Sequence, residues 1–167
     1  MKFSIVYSSR TGNTKLLAET IRDALPAGDC VYFGEPAPEA LEADCVYAGF
    51  WTDKGRCDDA AAEFLKTLTT QKLFLFGTAG FGGTPAYFQQ ILQRTEEVLP
   101  ASVQVIGRYM CQGKMPLSVR KRYESMQDSP EFGPRMAMLI ENFDRALTHP
   151  DQRDLAALRE QLPASAL

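Results

Sequence analysis

Phe3-Ser4-Ile5-Val6-Tyr7-Ser8-Ser9-Arg10-Thr11-Gly12-Asn13-Thr14 carries the join on which the fold turns. Lys2–Tyr7 is short, apolar and rich in β-formers, and reads as a buried first strand. Thr14–Leu25 follows with Leu17, Ala18, Ile21, Ala24 and Leu25 at helical spacing. The loop Ser8–Thr14 that joins them is polar, with four hydroxyls, an asparagine and a glycine. A strand that enters a helix through such a loop is the start of a βαβ unit.

The same alternation continues along the chain. Asp29–Phe33 is a second strand, and Gly34–Ala43, with two prolines, is too short for a full helix. Asp44–Trp51 is a third strand and Asp58–Leu68 a helix. Lys72–Gly77 holds Leu73-Phe74-Leu75-Phe76, apolar at every position, as a central parallel strand requires. Tyr87–Val98 is a helix and Val103–Met110 the fifth strand. Cys111–Pro130 is a long connection with a basic helical turn or two around Val119–Met126. Phe132–Leu147 reads as the last helix of the sheet, and Asp151–Leu162 as a short appended one. The expected fold is α/β: a doubly wound, five-stranded parallel sheet of order 2-1-3-4-5 in a three-layer sandwich. Residues 1–147 form the expected domain, and 148–167 a C-terminal helical extension packed on it.

Length and composition agree. The 167 residues suit one domain, and 45% apolar with 23% charged residues excludes a disordered or coiled-coil chain. No apolar run reaches the ~20 residues of a membrane span. The N-terminus turns polar at Ser8, too early for a secretory signal, so a cytoplasmic protein is expected. Cys30, Cys45, Cys57 and Cys111 show no Cys-x-x-Cys spacing, which speaks against a zinc site or a thioredoxin motif.

In a sheet of this order ligands sit beyond the carboxyl ends of the strands, at the switch between the first and third. Four loops should meet there. The loop Ser9-Arg10-Thr11-Gly12-Asn13-Thr14 offers hydroxyls, backbone N–H groups and a helix N-terminus, which together cradle a phosphate. It lacks the Gly-Lys-Ser/Thr ending of a Walker A loop and is not Gly-x-Gly-x-x-Gly, so ATP hydrolysis and a dinucleotide site are disfavoured. Trp51-Thr52-Asp53-Lys54-Gly55 carries the sole tryptophan, suited to stacking a flat heterocycle. Thr78-Ala79-Gly80-Phe81-Gly82-Gly83 permits close backbone approach and offers Phe81 as a second cover. Gln112, Gly113 and Lys114 should reach the same edge. No metal site and no catalytic side chain is expected. Ser8 and Ser9 stand where a response regulator needs acidic residues. A hydrolase lacks its Gly-x-Ser-x-Gly elbow, and the lone His149 reads as a surface turn residue.

Tyr7-Ser8-Ser9-Arg10-Thr11-Gly12-Asn13-Thr14 resembles the flavodoxin signature, a Ser/Thr-x-Thr-Gly-x-Thr loop that holds the phosphate of FMN. The similarity extends over roughly Met1 to Leu147 in element order and loop positions. Gly49–Gly55 and Cys111–Pro116 resemble a bacterial subgroup of the family that includes the flavodoxin-like protein associated with bilirubin reductase. The resemblance implies FMN as cofactor, with Trp51–Gly55 against the isoalloxazine ring. It implies electron transfer between redox partner proteins, a reductase and a terminal acceptor. The alternatives are an FMN-dependent NAD(P)H quinone or nitro reductase, and a non-redox binding module that has lost FMN.

Charge adds one feature. Net charge is −3, yet Arg108, Lys114, Arg120, Lys121 and Arg122 lie in a stretch with no acidic residue. The cluster is too local for nucleic acid, and no membrane is implied. Its functional reading is a docking face, Arg108–Arg122, for an acidic partner surface or ligand; its plain reading is a solvated loop and helix face.

Overall fold

The computed structural model of the protein describes residues 1–82 and 84–164. The main strands are β1 (Phe3–Tyr7), β2 (Cys30–Gly34), β3 (Cys45–Asp53), β5 (Lys72–Ala79) and β6 (Gln104–Gln112). They lie side by side in the order β2-β1-β3-β5-β6, every pair parallel. This is the doubly wound α/β sheet expected from the sequence, with one addition. A short strand, β4 (Arg56–Cys57), folds back antiparallel on the end of β3, pairing Asp53 with Arg56. The turn between them uses two left-handed residues, Lys54 at φ 54° and Gly55 at φ 82°. Such a pair matches the twist of a two-residue hairpin. β3 therefore runs past Trp51 into a projecting hairpin.

Helices cover both faces. On one, α2 (Asp59–Lys66) and α3 (Pro85–Glu96) bury Phe64, Leu65 and Ile91 against Val6, Val46, Phe50, Leu73 and Leu75. On the other, α1 (Asn13–Ala24) buries Leu17 and Ile21 against Ile5, Tyr47, Phe74 and Phe76. That second face is completed by α6 (Gln152–Gln161), whose Leu155 and Leu158 join the same cluster beside α1 and β6. The sequence reading gives this place to Phe132–Leu147. Instead α5 (Gly133–Ala146) packs on α4 (Leu117–Met126), and the two form a helical hairpin between β6 and α6. Both α5 and α6 have an apolar stripe, and periodicity reveals a buried face without revealing what covers it.

Phenylalanines and glycines interlock across the central strands. Gly49 pairs with Phe76, and Phe50 with Gly77, in adjacent positions of β3 and β5. A Cβ on Gly49 would overlap the Phe76 ring, and one on Gly77 would overlap the Phe50 ring. Gly107 of β6 sits under Phe74 in the same manner. Successive side chains point to opposite faces, so Phe50 enters one core layer and Phe76 the other. Each large ring fills space that its glycine neighbour leaves open, which keeps the interior close-packed.

Candidate functional site

The carboxyl ends of β1, β3, β5 and β6 are aligned by register: Tyr7 opposite Gly49, Trp51 opposite Thr78, and Ala79 opposite Gln112. Beyond them lies a cleft of about 410 Å³. That is within the range of roughly 300–1,000 Å³ usual for small-molecule and cofactor sites.

The first wall is the loop entering α1. Gly12, at φ 87°, caps α1 with no side-chain hydrogen bond, and no acidic residue stands in the first turn. The N-terminus thus keeps its partial positive charge and faces no carboxylate of its own helix. Arg10, Thr11 and Asn13 line the cleft. Asn13 donates from Nδ2 to the Lys114 carbonyl at 2.8 Å, and Thr11 Oγ1 donates to the same oxygen at 3.3 Å. Lys114 N in turn donates to the His149 carbonyl at 2.9 Å, and Gly113 N to the Ala79 carbonyl at 3.0 Å. The loop after β6 is so held between the start of α1, the end of β5 and the turn before α6. His149 is a turn residue, as read from the sequence, and its ring nitrogen Nδ1 lies 2.6 Å from Asp154 Oδ2 in the α6 cap.

Three residues of the predicted phosphate loop do not line the cleft. Ser9 Oγ accepts from Lys15 N at 3.3 Å. Gly12 turns the chain into the helix. Thr14 is fully buried: its hydroxyl donates to the Phe50 carbonyl at 3.0 Å and lies 3.2 Å from Thr78 Oγ1. The Thr14 side chain therefore ties α1 to β3 and β5 beneath the cleft.

The second wall is the end of β3 and its hairpin. Trp51, Thr52, Asp53, Lys54 and Gly55 all line the cleft. The guanidinium carbon of Arg10 lies 5.4 Å from the Trp51 ring centroid, a cation–π distance. Behind them Asp58 is buried, accepting from Ser8 Oγ at 2.5 Å, Trp51 N at 3.3 Å and Ala61 N at 3.3 Å. One carboxylate thus caps α2 and fixes both the exit of β1 and the backbone of Trp51.

The third wall is the end of β5. Thr78, Ala79, Gly80 and Phe81 line the cleft; Gly82, exposed at φ 84° and close to the Tyr87 ring, does not. Gly83 lies outside the described residues. The Gly80 carbonyl is pinned by Gln112 Nε2 at 3.1 Å and by Asn142 Nδ2 of α5 at 2.9 Å.

A fourth wall goes beyond the residues named from the sequence. Met115, Pro116, Val119, Arg122 and Tyr123 close the cleft from the α4 side, and Tyr87 from the start of α3. The stretch read as one or two helical turns is a full ten-residue helix. Its basic run was visible in sequence; its apolar contribution to the cleft had no signal other than the proximity of Met115 to Gly113.

The basic stretch itself divides. Arg108 is paired with Glu96 of α3, at 2.6 and 2.9 Å, and lines a separate surface depression. Arg120 pairs with Glu124 and with Asp144 of α5, the latter at 3.0 and 3.2 Å, clamping α4 to α5. Lys114 and Arg122 face the cleft. Cys111 is buried, and burial pushes its thiol well above the ordinary range, which disfavours the thiolate. The four cysteines are free thiols.

Sheet order and loop geometry together define a flavodoxin-like domain. Residues 4–162 match the sequence model of the Flavodoxin domain, and the chain belongs to that family. It is 43% identical to the flavodoxin-like domain-containing protein BilS of Clostridium symbiosum, over 99% of this chain and 96% of that one. It is 30% identical to BilS of Clostridioides difficile, over 93% and 90% of the two chains. Solved structures share the fold at low identity. A short-chain flavodoxin associated with a PDU bacterial microcompartment superposes with a TM-score of 0.54 at 16% identity, covering 87% of this chain and 97% of its own. A Lactobacillus acidophilus flavoprotein in complex with FMN does so with 0.52 at 16%, covering 66% and 93%. A Fusobacterium nucleatum flavodoxin bound to flavin mononucleotide gives 0.51 at 13%, covering 86% and 95%. Among the described residues no helix is long and apolar enough to cross a membrane.

Proposed function

We propose that the cleft binds FMN and that the domain carries electrons between redox partner proteins. The observation that carries the reading is the carboxylate-free N-terminus of α1, with Gly12 at its cap, opening into the same cleft as Trp51. That pairing offers a phosphate site and a stacking surface in one cavity. The donor set fits the group: the second amide N–H of Asn13 and the guanidinium of Arg10 suit the phosphate, with the first N–H groups of α1, and the Thr11 hydroxyl reaches it by turning from the Lys114 carbonyl, its 3.3 Å acceptor. Trp51 and the Asp53–Gly55 hairpin suit the isoalloxazine, with Phe81 as a second cover. When bound, FMN supplies the redox chemistry, and the protein supplies orientation and electrostatics. The FMN complexes of structural neighbours support the same assignment.

The α4 wall favours a carrier over a self-sufficient reductase. Met115, Val119 and Tyr123 wall the cleft on the α4 side and reduce the room for a second ring beside a flavin. The docking face is narrower than Arg108–Arg122, because Arg108 and Arg120 are engaged within the fold. Lys114, Lys121 and Arg122 are the cations offered to an acidic partner. The cytoplasm suits such a carrier and its free thiols.

Purification and visible spectroscopy test the cofactor assignment. A flavin spectrum, with FMN identified by mass after release, is expected. A colourless protein that fails to take up added FMN would return the domain to the non-redox reading.

A further inference from the structure

Glycine-rich backbone does not hold itself in place, because glycine has more conformational freedom to lose than any other residue. The third wall of the cleft ends in such a stretch, with Gly80 and Gly82 on either side of Phe81. Gly80 and Phe81 belong to the Trp51 side of the cleft: Thr78, two residues before Gly80, lies opposite Trp51 in the sheet, and its carbonyl accepts from Thr52 Oγ1 at 2.8 Å. What fixes the Gly80 peptide comes from outside the loop. Its carbonyl accepts from Gln112 Nε2 at 3.1 Å and from Asn142 Nδ2 at 2.9 Å, and the Gln112 amide also donates to Asn142 Oδ1 at 3.3 Å. Met115 packs into the space that a Cβ on Gly80 would need.

Asn142 stands on α5, 62 positions after Gly80, in the helical hairpin between β6 and α6. It is half-buried and does not line the cleft. Its neighbours on α5 are engaged elsewhere, Asp144 on Arg120 and Glu141 on Arg145, whereas Asn142 reaches the carboxyl edge of the sheet. A trans peptide unit is planar, so a carbonyl held by two donors also sets the direction of the N–H and Cα that follow it. Those atoms belong to Phe81, whose side chain lines the cleft and is 38% exposed.

We infer that Asn142 is a positioning residue for the flavin ring, acting through the Gly80–Phe81 peptide to set the third wall before the cofactor arrives. The inference rests on the FMN reading above. The part of the cofactor concerned is the isoalloxazine, which FMN shares with riboflavin, and not the phosphate. A loop that is already fixed spares the ligand the entropic cost of ordering it. Asn142 contributes no surface to the cleft; its contribution is the fixed course of the backbone at Gly80 and Phe81. The α4–α5 hairpin thereby serves the site in two ways, through the α4 side chains that wall the cleft and through one α5 amide behind it.

The test is titration of the flavin-free chain with riboflavin and, in parallel, with FMN. Asn142→Ala should weaken both ligands by the same factor, about fivefold to tenfold, the scale of one neutral hydrogen bond. Asn142→Asp keeps the size of the side chain and an acceptor for Gln112 but removes the donor to Gly80, and it should weaken riboflavin at least as much. The visible absorption band of the flavin bound to either variant should also lose fine structure, because its surroundings are less fixed. Riboflavin affinity retained in Asn142→Asp, or a loss confined to FMN in Asn142→Ala, overturns the inference. So does a lowered urea midpoint with both affinities unchanged, the outcome expected of an amide that only supports the fold. In the unaltered protein the side-chain amide resonance of Asn142 should shift as riboflavin saturates the cleft, a measurement that needs no variant; a resonance that stays in place overturns the inference as well. If the unaltered protein binds neither flavin, the FMN reading falls and takes the inference with it.

Discussion

Asn13 and Lys114 meet across 101 positions of sequence, the side-chain amide of one donating to the carbonyl of the other at 2.8 Å. Asn13 is 7% exposed, and Gly113 passes so close that a Cβ there would overlap the Asn13 amide. The contact joins the start of α1 to the loop that leads into α4, the two walls at the phosphate end of the cleft. Asn13→Ala should cost about 1–3 kcal/mol of fold stability, because the Lys114 carbonyl loses its shorter bond. Urea denaturation of the flavin-free protein measures this. FMN affinity should fall as well, and an unaltered denaturation midpoint together with unaltered affinity would show that the contact is incidental.

Thr11 and Thr14 are neighbours in the loop with different duties. Thr11 faces the cleft, whereas the Thr14 hydroxyl is spent on Phe50 and Thr78. Thr11→Ala should weaken FMN more than riboflavin, since only FMN has the phosphate. A charge-assisted hydrogen bond of roughly 1.5–3 kcal/mol sets the scale. Thr14→Val should instead lower stability by about 1 kcal/mol or more through the lost buried hydrogen bonds. Parallel titrations with both flavins separate the two residues; an equal loss for FMN and riboflavin in Thr11→Ala would take that hydroxyl away from the phosphate.

How much of this was legible in the sequence differs between sheet and site. Leu73–Phe76 announced a central buried strand, and Ser9–Thr14 announced a loop between strand and helix; both signals are local and periodic. Of the loop residues named for the cofactor, Arg10, Thr11, Asn13, Trp51–Gly55 and Thr78–Phe81 converge on one cleft. Thr14 could not be separated from Thr11 beforehand, because a hydroxyl's partner depends on which face of α1 it lies on. The wall from Met115 to Tyr123 was out of reach for another reason. Its residues are about a hundred positions from the first loop, and α4 has a weakly segregated surface with Tyr123 as its one buried residue. Exchange of α5 for α6 against the sheet is the same limitation at larger scale.

Trp51 is the sole tryptophan, so its emission reports on the cleft without interference. Saturating FMN should quench it strongly if the ring stacks there. Arg10→Ala removes the cation at 5.4 Å from the ring and should alter the emission of the flavin-free protein as well. Emission that ignores FMN at saturation excludes Trp51 from the binding surface.

The interlocked core makes a prediction independent of any ligand. Gly49→Ala and Gly77→Ala each force a methyl group into a phenylalanine ring on the next strand. Overpacking of this kind costs typically 1–3 kcal/mol. Pairing Gly77→Ala with Phe50→Leu should recover part of the loss by making room. Thermal or urea unfolding decides it, and additivity of the two changes would contradict the packing argument.

The α4–α5 clamp should be sensitive to acid. Hydrogen bonds from Arg120 hold the Asp144 carboxyl below its ordinary range. A depressed carboxylate contributes above its unfolded value, near 3.9, and loses that contribution as pH falls through the lower folded value. The clamp should therefore persist at neutral pH and loosen only below the usual carboxylate range. Amide hydrogen exchange in residues 117–126 checks this, with Asp144→Asn expected to show faster exchange already at neutral pH. Exchange that is equal in the two proteins at every pH would deny the clamp a role.

The central claim is that the α1 N-terminus and Trp51 hold the two ends of one FMN molecule. Calorimetric titration of the flavin-free chain with FMN and then with riboflavin tests it most directly. Saturable one-to-one binding of FMN, at least tenfold tighter than riboflavin, is the expected result, a ratio equal to about 1.4 kcal/mol from the phosphate. Equal affinity for the two flavins, or binding of neither, contradicts the account.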